Sequence, residues 1–134
     1  MTNKELLQKA IESRKDSYSP YSNFCVGAAL LTCDGKVYTG ANIENAAYTP
    51  TICAERVAFF KAVNNGERNF SKIAITGGKA GEPAGFCAPC GVCRQVMAEF
   101  CKDDFEIILG TPDDIKVYTL KEILPDYFGP NNLN

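Results

Sequence analysis

Two short stretches hold residues whose types and spacing could do chemistry: Cys53-Ala54-Glu55-Arg56 and Pro89-Cys90-Gly91-Val92-Cys93-Arg94-Gln95. Cys90 and Cys93 are three apart, so on a helix their sulfurs share one face at adjoining turns. With Cys53 they make a set of three thiols able to hold one zinc ion. A tetrahedral zinc with three protein ligands keeps a fourth position open, which is the pattern of a catalytic site; structural sites use all four. Cys53 and Glu55 would diverge inside a helix but can converge at its first turn. Helix N-termini carry partial positive charge and lower thiol pKa, which favours the thiolates that bind metal. Two helix starts meeting at one zinc, with Glu55 beside the open corner, is the geometry expected. Glu55 would then accept a proton from zinc-activated water and deliver it to a substrate.

Three thiolates on a dication leave one negative charge, which makes the metal a poorer Lewis acid unless neighbours offset it. Arg56 is the first candidate to donate hydrogen bonds to the sulfurs, and Arg94 or Gln95 the second. Cys87 forms a second, overlapping C-x-x-C with Cys90. It could replace a ligand, close a four-sulfur structural site, or belong to a redox dithiol. Neither a structural site nor a redox pair explains the C-A-E-R run. Cys25, Cys33 and Cys101 fall in strand or helix patterns and are expected as small core hydrophobes. The chain has no histidine, so Ser-His and Cys-His pairs are excluded and proton shuttling falls to a carboxylate or another tuned group.

The elements that must position these residues can be read from periodicity. Leu6, Leu7, Ala10 and Ile11 recur at helical spacing between about Lys4 and Ser17, and Ser19-Pro20 ends that helix. Phe24 to Cys33 is apolar enough for a strand buried on both faces. Asp34-Gly35 reads as a two-residue hairpin turn into Lys36 to Ala41. After an irregular loop from Asn42 to Pro50, a helix starts at Cys53, shows Val57, Phe59, Phe60 and Val63, and stops at Asn64-Asn65-Gly66. Ile73 to Thr76 is a short strand, and Gly77 to Gly81 opens a flexible loop. A further helix runs from about Gly91 to Cys101 with Val92, Val96, Met97 and Phe100 inward. Phe105 to Leu109 and Lys116 to Leu120 are strands joined too tightly for a parallel crossover, so they pair antiparallel. The order α-β-β-α-β-α-β-β gives one mixed sheet with helices on both faces.

At 134 residues and a net charge of -2, with no basic block, the chain is expected to be one domain, residues 1–134, without a nucleic-acid partner. The segment from about 130 to 134 is expected to be loose. No stretch is long enough to span a membrane, and the N-terminus lacks a signal peptide's apolar run. A cytoplasmic location follows, where thiols stay reduced. Seven cysteines, an odd number at x-x spacing, then favour metal binding over disulfides.

A Cys two residues before Glu, followed by P-C-x-x-C, is the all-cysteine form of the zinc nucleobase deaminase signature. The chain resembles the small, homotetrameric, zinc-dependent cytidine deaminases over nearly its full length. Besides the two stretches above, the matching runs are Tyr18-Ser19-Pro20-Tyr21-Ser22-Asn23-Phe24, Val26-Gly27-Ala28-Ala29-Leu30, Asn42-Ile43-Glu44-Asn45-Ala46-Ala47-Tyr48 and Leu124-Pro125. The resemblance implies a three-layer α-β-α fold with a mixed five-stranded sheet and one zinc per subunit on Cys53, Cys90 and Cys93. It assigns Glu55 as the proton shuttle. It also implies that Asn42 and Glu44 hydrogen-bond the ribose hydroxyls, that Phe24 packs on the pyrimidine, and that Ala54 contributes to the nucleoside site. Asn42 and Glu44 alternate along an extended segment, so both can point towards a sugar. Neighbouring subunits of a homotetramer would complete each pocket, with Phe128 closing over the base. Asp126-Tyr127 and Thr49-Pro50-Thr51-Ile52 depart from the family pattern.

The implied reaction is hydrolytic deamination of cytidine and 2′-deoxycytidine to uridine and 2′-deoxyuridine with release of ammonia, a step of pyrimidine salvage. The alternatives are deamination of another aminopyrimidine nucleoside, such as a nucleoside antibiotic, or a structural zinc-binding interaction module.

Overall fold

Nine elements carry the chain in a computed structural model that describes residues 1–133. They are α1 (Asn3–Ser13), β1 (Phe24–Thr32), β2 (Val37–Ala41), α2 (Ala54–Asn64), β3 (Phe70–Lys79), α3 (Gly91–Phe100), β4 (Glu106–Thr111), β5 (Asp114–Thr119) and α4 (Leu120–Ile123). The strands form one sheet in the order β2-β1-β3-β4-β5. Only β3 and β4 run parallel, joined through α3; every other pair is antiparallel. The mixed five-stranded α/β architecture expected from the sequence is the one observed.

Successive side chains of β1 take opposite sides of the sheet, and both sides are apolar. Ala29 and Leu31 pack with Leu6, Leu7 and Ala10 of α1 on one face. Ala28 and Leu30 pack with Ala58 and Phe59 of α2 and Met97 of α3 on the other. A double-sided strand of this kind fixes α1 against one layer and the two site-bearing helices against the opposite one. α1 opens with a capping box, Thr2 accepting from the Glu5 N–H while the Glu5 carboxylate accepts from that of Thr2.

At Gly40 the α2 helix comes so near to β2 that a Cβ would overlap the Ala54 carbonyl oxygen and stand 2.6 Å from the Ala58 nitrogen. This close approach sets the start of α2 hard against the sheet.

Several boundaries differ from expectation. The β1–β2 connection is not a two-residue turn: Thr32 N–H donates to the Lys36 carbonyl at 2.9 Å, leaving three residues between them. A type I′ turn needs positive φ at both central residues. Here Gly35 alone takes it, at 91°, while Asp34 stays at negative φ and its carboxylate accepts from the Thr32 hydroxyl. β3 extends to Lys79, so Gly77 and Gly78 belong to the strand and not to a loop, each paired with β1. Val92, expected inward, is 57% exposed. Among the other cysteines expected in the core, Cys101 is half-buried and packs against it, whereas Cys25 is half-buried outside it and Cys33 is exposed. α1 gives way after Ser13 to a single 3-10 turn, Arg14–Asp16. The segment expected to be loose carries another, Pro130–Asn132, closed by Gly129 N–H donating to the Asn132 side chain at 2.8 Å. Asn134 lies outside the described residues.

Candidate active site

Cys53 and Cys90 occupy the same position on two helices, each the residue immediately before the first turn, of α2 and of α3. Pro89 therefore precedes the cap and does not open the helix. Neither thiol bonds its own helix's N–H groups. Both turn towards the other, 3.7 Å apart, and Cys93, one turn into α3, lies 3.7 Å from Cys90. All three sulfurs fall within 4.8 Å of one another. Sulfurs bound at ~2.3 Å around a tetrahedral zinc stand about 3.8 Å apart, so the set fits that ion as it stands. Cys87 is not part of this trio. Its half-buried thiol is pushed up to about 11, by burial first and then by the charges of Glu55 and Cys53.

Arg56, in the first turn of α2, places its guanidinium Nη2 3.5 Å from the Cys53 sulfur. Its Nε is buried without a hydrogen-bond partner among the described residues. Hydrogen bonds from Cys93, Arg56 and Cys90 hold the Cys53 thiol down to about 5. Cys93 shifts the other way, because its proton is shared with the Cys53 sulfur and because it is buried. One thiolate is thus already favoured at this spot before a cation adds its own pull.

Glu55 is 4% exposed, a rare burial for a carboxyl group. That burial pushes it up to about 7, with the charge of Cys53 adding to the shift while a hydrogen bond from its own backbone N–H, then a Cys93 hydrogen bond and Arg56, oppose it. Ala54, beside it, is wholly buried.

Asn42 follows the end of β2, and its side-chain oxygen accepts from Ser17 Oγ at 2.6 Å and from Val26 N–H at 2.9 Å. Its Nδ2 donates to the Phe24 carbonyl at 2.9 Å. The oxygen is therefore used up, and one N–H is left to donate. Glu44 Oε1 accepts from the N–H groups of Tyr21 (2.9 Å) and Ser22 (3.1 Å), and Oε2 accepts from the Ser22 hydroxyl. These bonds lower its pKa, the Ser22 hydroxyl most, so the group stays an acceptor. A donor and an acceptor thus stand two residues apart beside Phe24, a residue 37% exposed.

Two expected roles, those of Gln95 and Arg94, meet different contacts. Gln95 does not serve the sulfurs: two residues past Cys93 it lies about 200° round the helix, and it donates to the Phe128 carbonyl at 2.7 Å. Arg94 likewise bonds the carbonyls of Pro89 (2.8 Å) and Ile123 (2.7 Å). Phe128 is 59% exposed, held by its backbone and turned away from its own chain's core.

Sequence reasoning also left Ser17 and Ser22 without roles, although Ser22 lay in one of the matching runs. Serines so close to an Asn and a Glu in space were not close in sequence, which is why spacing did not reveal them.

The chain matches the family model "Cytidine and deoxycytidylate deaminase zinc-binding region" over residues 1–109. It is 47% identical over 136 residues to a cytidine deaminase of Halalkalibacterium halodurans, covering 100% of this chain and 99% of that one. It is 44% identical over 131 residues to one of Sporosarcina psychrophila, covering 97% and 93%. Among solved structures, the cytidine deaminase from Burkholderia pseudomallei superposes with a TM-score of 0.87 at 46% identity, covering 96% of this chain and all of that one.

Proposed function

The chain belongs to the cytidine and deoxycytidylate deaminase family, and we propose on that footing that it converts cytidine and 2′-deoxycytidine to the corresponding uridines with release of ammonia. The observation that carries this reading is the trio of sulfurs within 4.8 Å of one another, beside a buried carboxyl group.

Cys53, Cys90 and Cys93 would hold the zinc, one per subunit. When bound, it supplies a Lewis acid that makes water a competent nucleophile near neutral pH. Glu55 manages the protons: it takes one as water adds at C4 of the pyrimidine and passes it to the ring nitrogen, then takes the proton of the new C4 hydroxyl and gives it to the departing amino group, which leaves as ammonia as the C4 carbonyl forms. Water and cytidine go in, uridine and ammonia come out, and the carboxylate ends as it began. A carboxyl group held near 7 by burial is suited to both halves of that cycle. Arg56 offsets charge on the thiolates, which would otherwise dull the metal.

Asn42 and Glu44 offer one donor and one acceptor, the pair a single sugar hydroxyl can satisfy. Such a site favours a nucleoside over a free base, because a base alone would leave both groups unpaired. Phe24 would flank the ring, with Ala54 at the pocket floor. Phe128, exposed on its own chain, would reach the pocket of a neighbouring subunit in a homotetramer. We place the enzyme in the cytoplasm, in pyrimidine salvage; no described helix is long and apolar enough to cross a membrane.

Purified protein mixed with cytidine and followed by ultraviolet absorbance, with and without chelator, tests the whole reading. Conversion that stops on zinc removal and returns on reloading is the result expected. Turnover by metal-free protein would end it.

A further inference from the structure

We propose that Arg14 is a positioning residue for nucleoside binding: its guanidinium ties together the strand start that carries Phe24 and the turn that leads to Cys90 and Cys93. The proposal rests on the nucleoside reading of the site given above.

Arg14 follows the last residue of α1, at the start of the 3-10 turn. An arginine there would ordinarily reach into water or pair with an acid. It takes part in none of the ion pairs among the described residues. Its side chain instead donates to four backbone carbonyls: Nε to Cys25 at 2.9 Å, Nη2 to Gly78 at 3.0 Å and Lys79 at 3.3 Å, and Nη1 to Glu82 at 3.1 Å. Only a planar fork of several donors can serve four acceptors spread over three segments.

Those segments converge on the site. Cys25 adjoins Phe24 and is the register partner of Gly78 across β1 and β3. Beside Gly78, the bare Gly77 is closed over by two groups: a Cβ there would stand 2.8 Å from the Phe24 ring and 3.0 Å from the Cys87 sulfur. Glu82 lies in the turn after β3, and the chain returns to the sheet three residues later, where Gly77 and Gly85 exchange N–H···O bonds of 3.3 and 2.8 Å. Ala80 N–H adds a bond to the Asn23 carbonyl at 2.9 Å. From Gly85 the strap runs through Cys87 to Cys90. Gly78 has no room for a side chain, since a Cβ would sit 2.7 Å from the Pro83 carbonyl and 3.1 Å from Arg14 Nη2. The guanidinium therefore lies inside the joint between Phe24 and the strap, without touching Glu55 or the thiol trio.

Loosening that joint should weaken the grip on the pyrimidine while leaving proton transfer in place. In zinc-loaded Arg14→Gln, the KM for cytidine is expected to rise about tenfold with kcat within about twofold of wild type. Zinc content should stay at the wild-type level. In the same variant, the Ala80 and Gly85 amides should exchange with solvent at least about tenfold faster, with β4 amides unchanged. Arg14→Lys keeps the charge but offers a point donor in place of a fork, so KM should rise in it too, by about threefold.

A folded Arg14→Gln enzyme with KM within twofold of wild type, or with kcat reduced at constant KM, overturns the proposal. Should the Gln variant not fold, the Lys variant decides: an unchanged KM overturns the proposal and a raised one supports it. If wild-type protein fails to deaminate cytidine, the functional reading itself has failed. Amide exchange then judges Arg14 separately, and unchanged protection of Ala80 and Gly85 refutes its role.

Discussion

Glu55 is surrounded by sulfur, a guanidinium and apolar packing, with almost no water to share its charge. Removing that carboxyl group should leave the thiols free to bind metal and the helix free to form. Glu55→Ala is expected to keep its zinc and its thermal transition yet lose about 10²–10⁴-fold in kcat, measured by ultraviolet turnover alongside metal content. Activity within tenfold of wild type would disprove the shuttle. Arg56→Gln removes the donor 3.5 Å from the Cys53 sulfur. It should cost about 10–100-fold in activity or in zinc affinity, which a competition titration with a chromophoric chelator separates. At this scale the two cysteine stretches were legible, because helix-start spacing and ligand chemistry constrain each other. Gln95 was not legible: its partner, the Phe128 carbonyl, lies 33 residues on. Nothing in the local pattern reveals a contact of that range.

The helices do their work through where they begin. α2 is pressed against β2 at Gly40, and the space a methyl group would need is filled by the backbone of Ala54 and Ala58. Gly40→Ala should shift the start of α2, destabilise the fold by about 1–3 kcal/mol, and weaken zinc retention in step. A thermal melt with a zinc assay on the same sample checks both. A variant as stable as wild type would show that α2 can retreat without cost. The first eight elements could be read in type and order from the apolar pattern, but α4 could not: Leu120, expected to end the last strand, is the first residue of that four-residue helix. The extent of β3 could not, because Gly77 and Gly78 look like a loop until their partners on β1 are known. The outward turn of Val92 was equally hidden, an apolar residue at inward-looking phase being indistinguishable from core without the packing.

Across the whole molecule, apolar packing lies on both sides of one sheet, yet Tyr18, Tyr21, Phe24, Ile43, Tyr48, Phe60, Phe86, Val92 and Phe128 remain exposed. So much uncovered aromatic and aliphatic surface fits a chain that is buried further by copies of itself, in keeping with the proposed tetramer. Sedimentation should find a species four times the chain mass. Phe128→Ala is expected to raise KM about tenfold while sparing zinc content, as a truncated aromatic contact at a subunit boundary would. Stripping zinc should lower the melting temperature, because an ion that binds only the folded form stabilises it by about 2.7 kcal/mol at a hundred times its dissociation constant.

The two sulfur caps set durability against turnover. Serine is a far better N-cap than a residue that leaves its helix's first N–H groups unanswered, and a good cap is worth about 0.5–2 kcal/mol. Cys53→Ser or Cys90→Ser should therefore give a metal-free protein at least as hardy as the unloaded parent, and a dead enzyme. Without the ion these two positions favour a serine cap, so it is the bound metal that keeps them thiols, through the stability it adds and the chemistry it supplies.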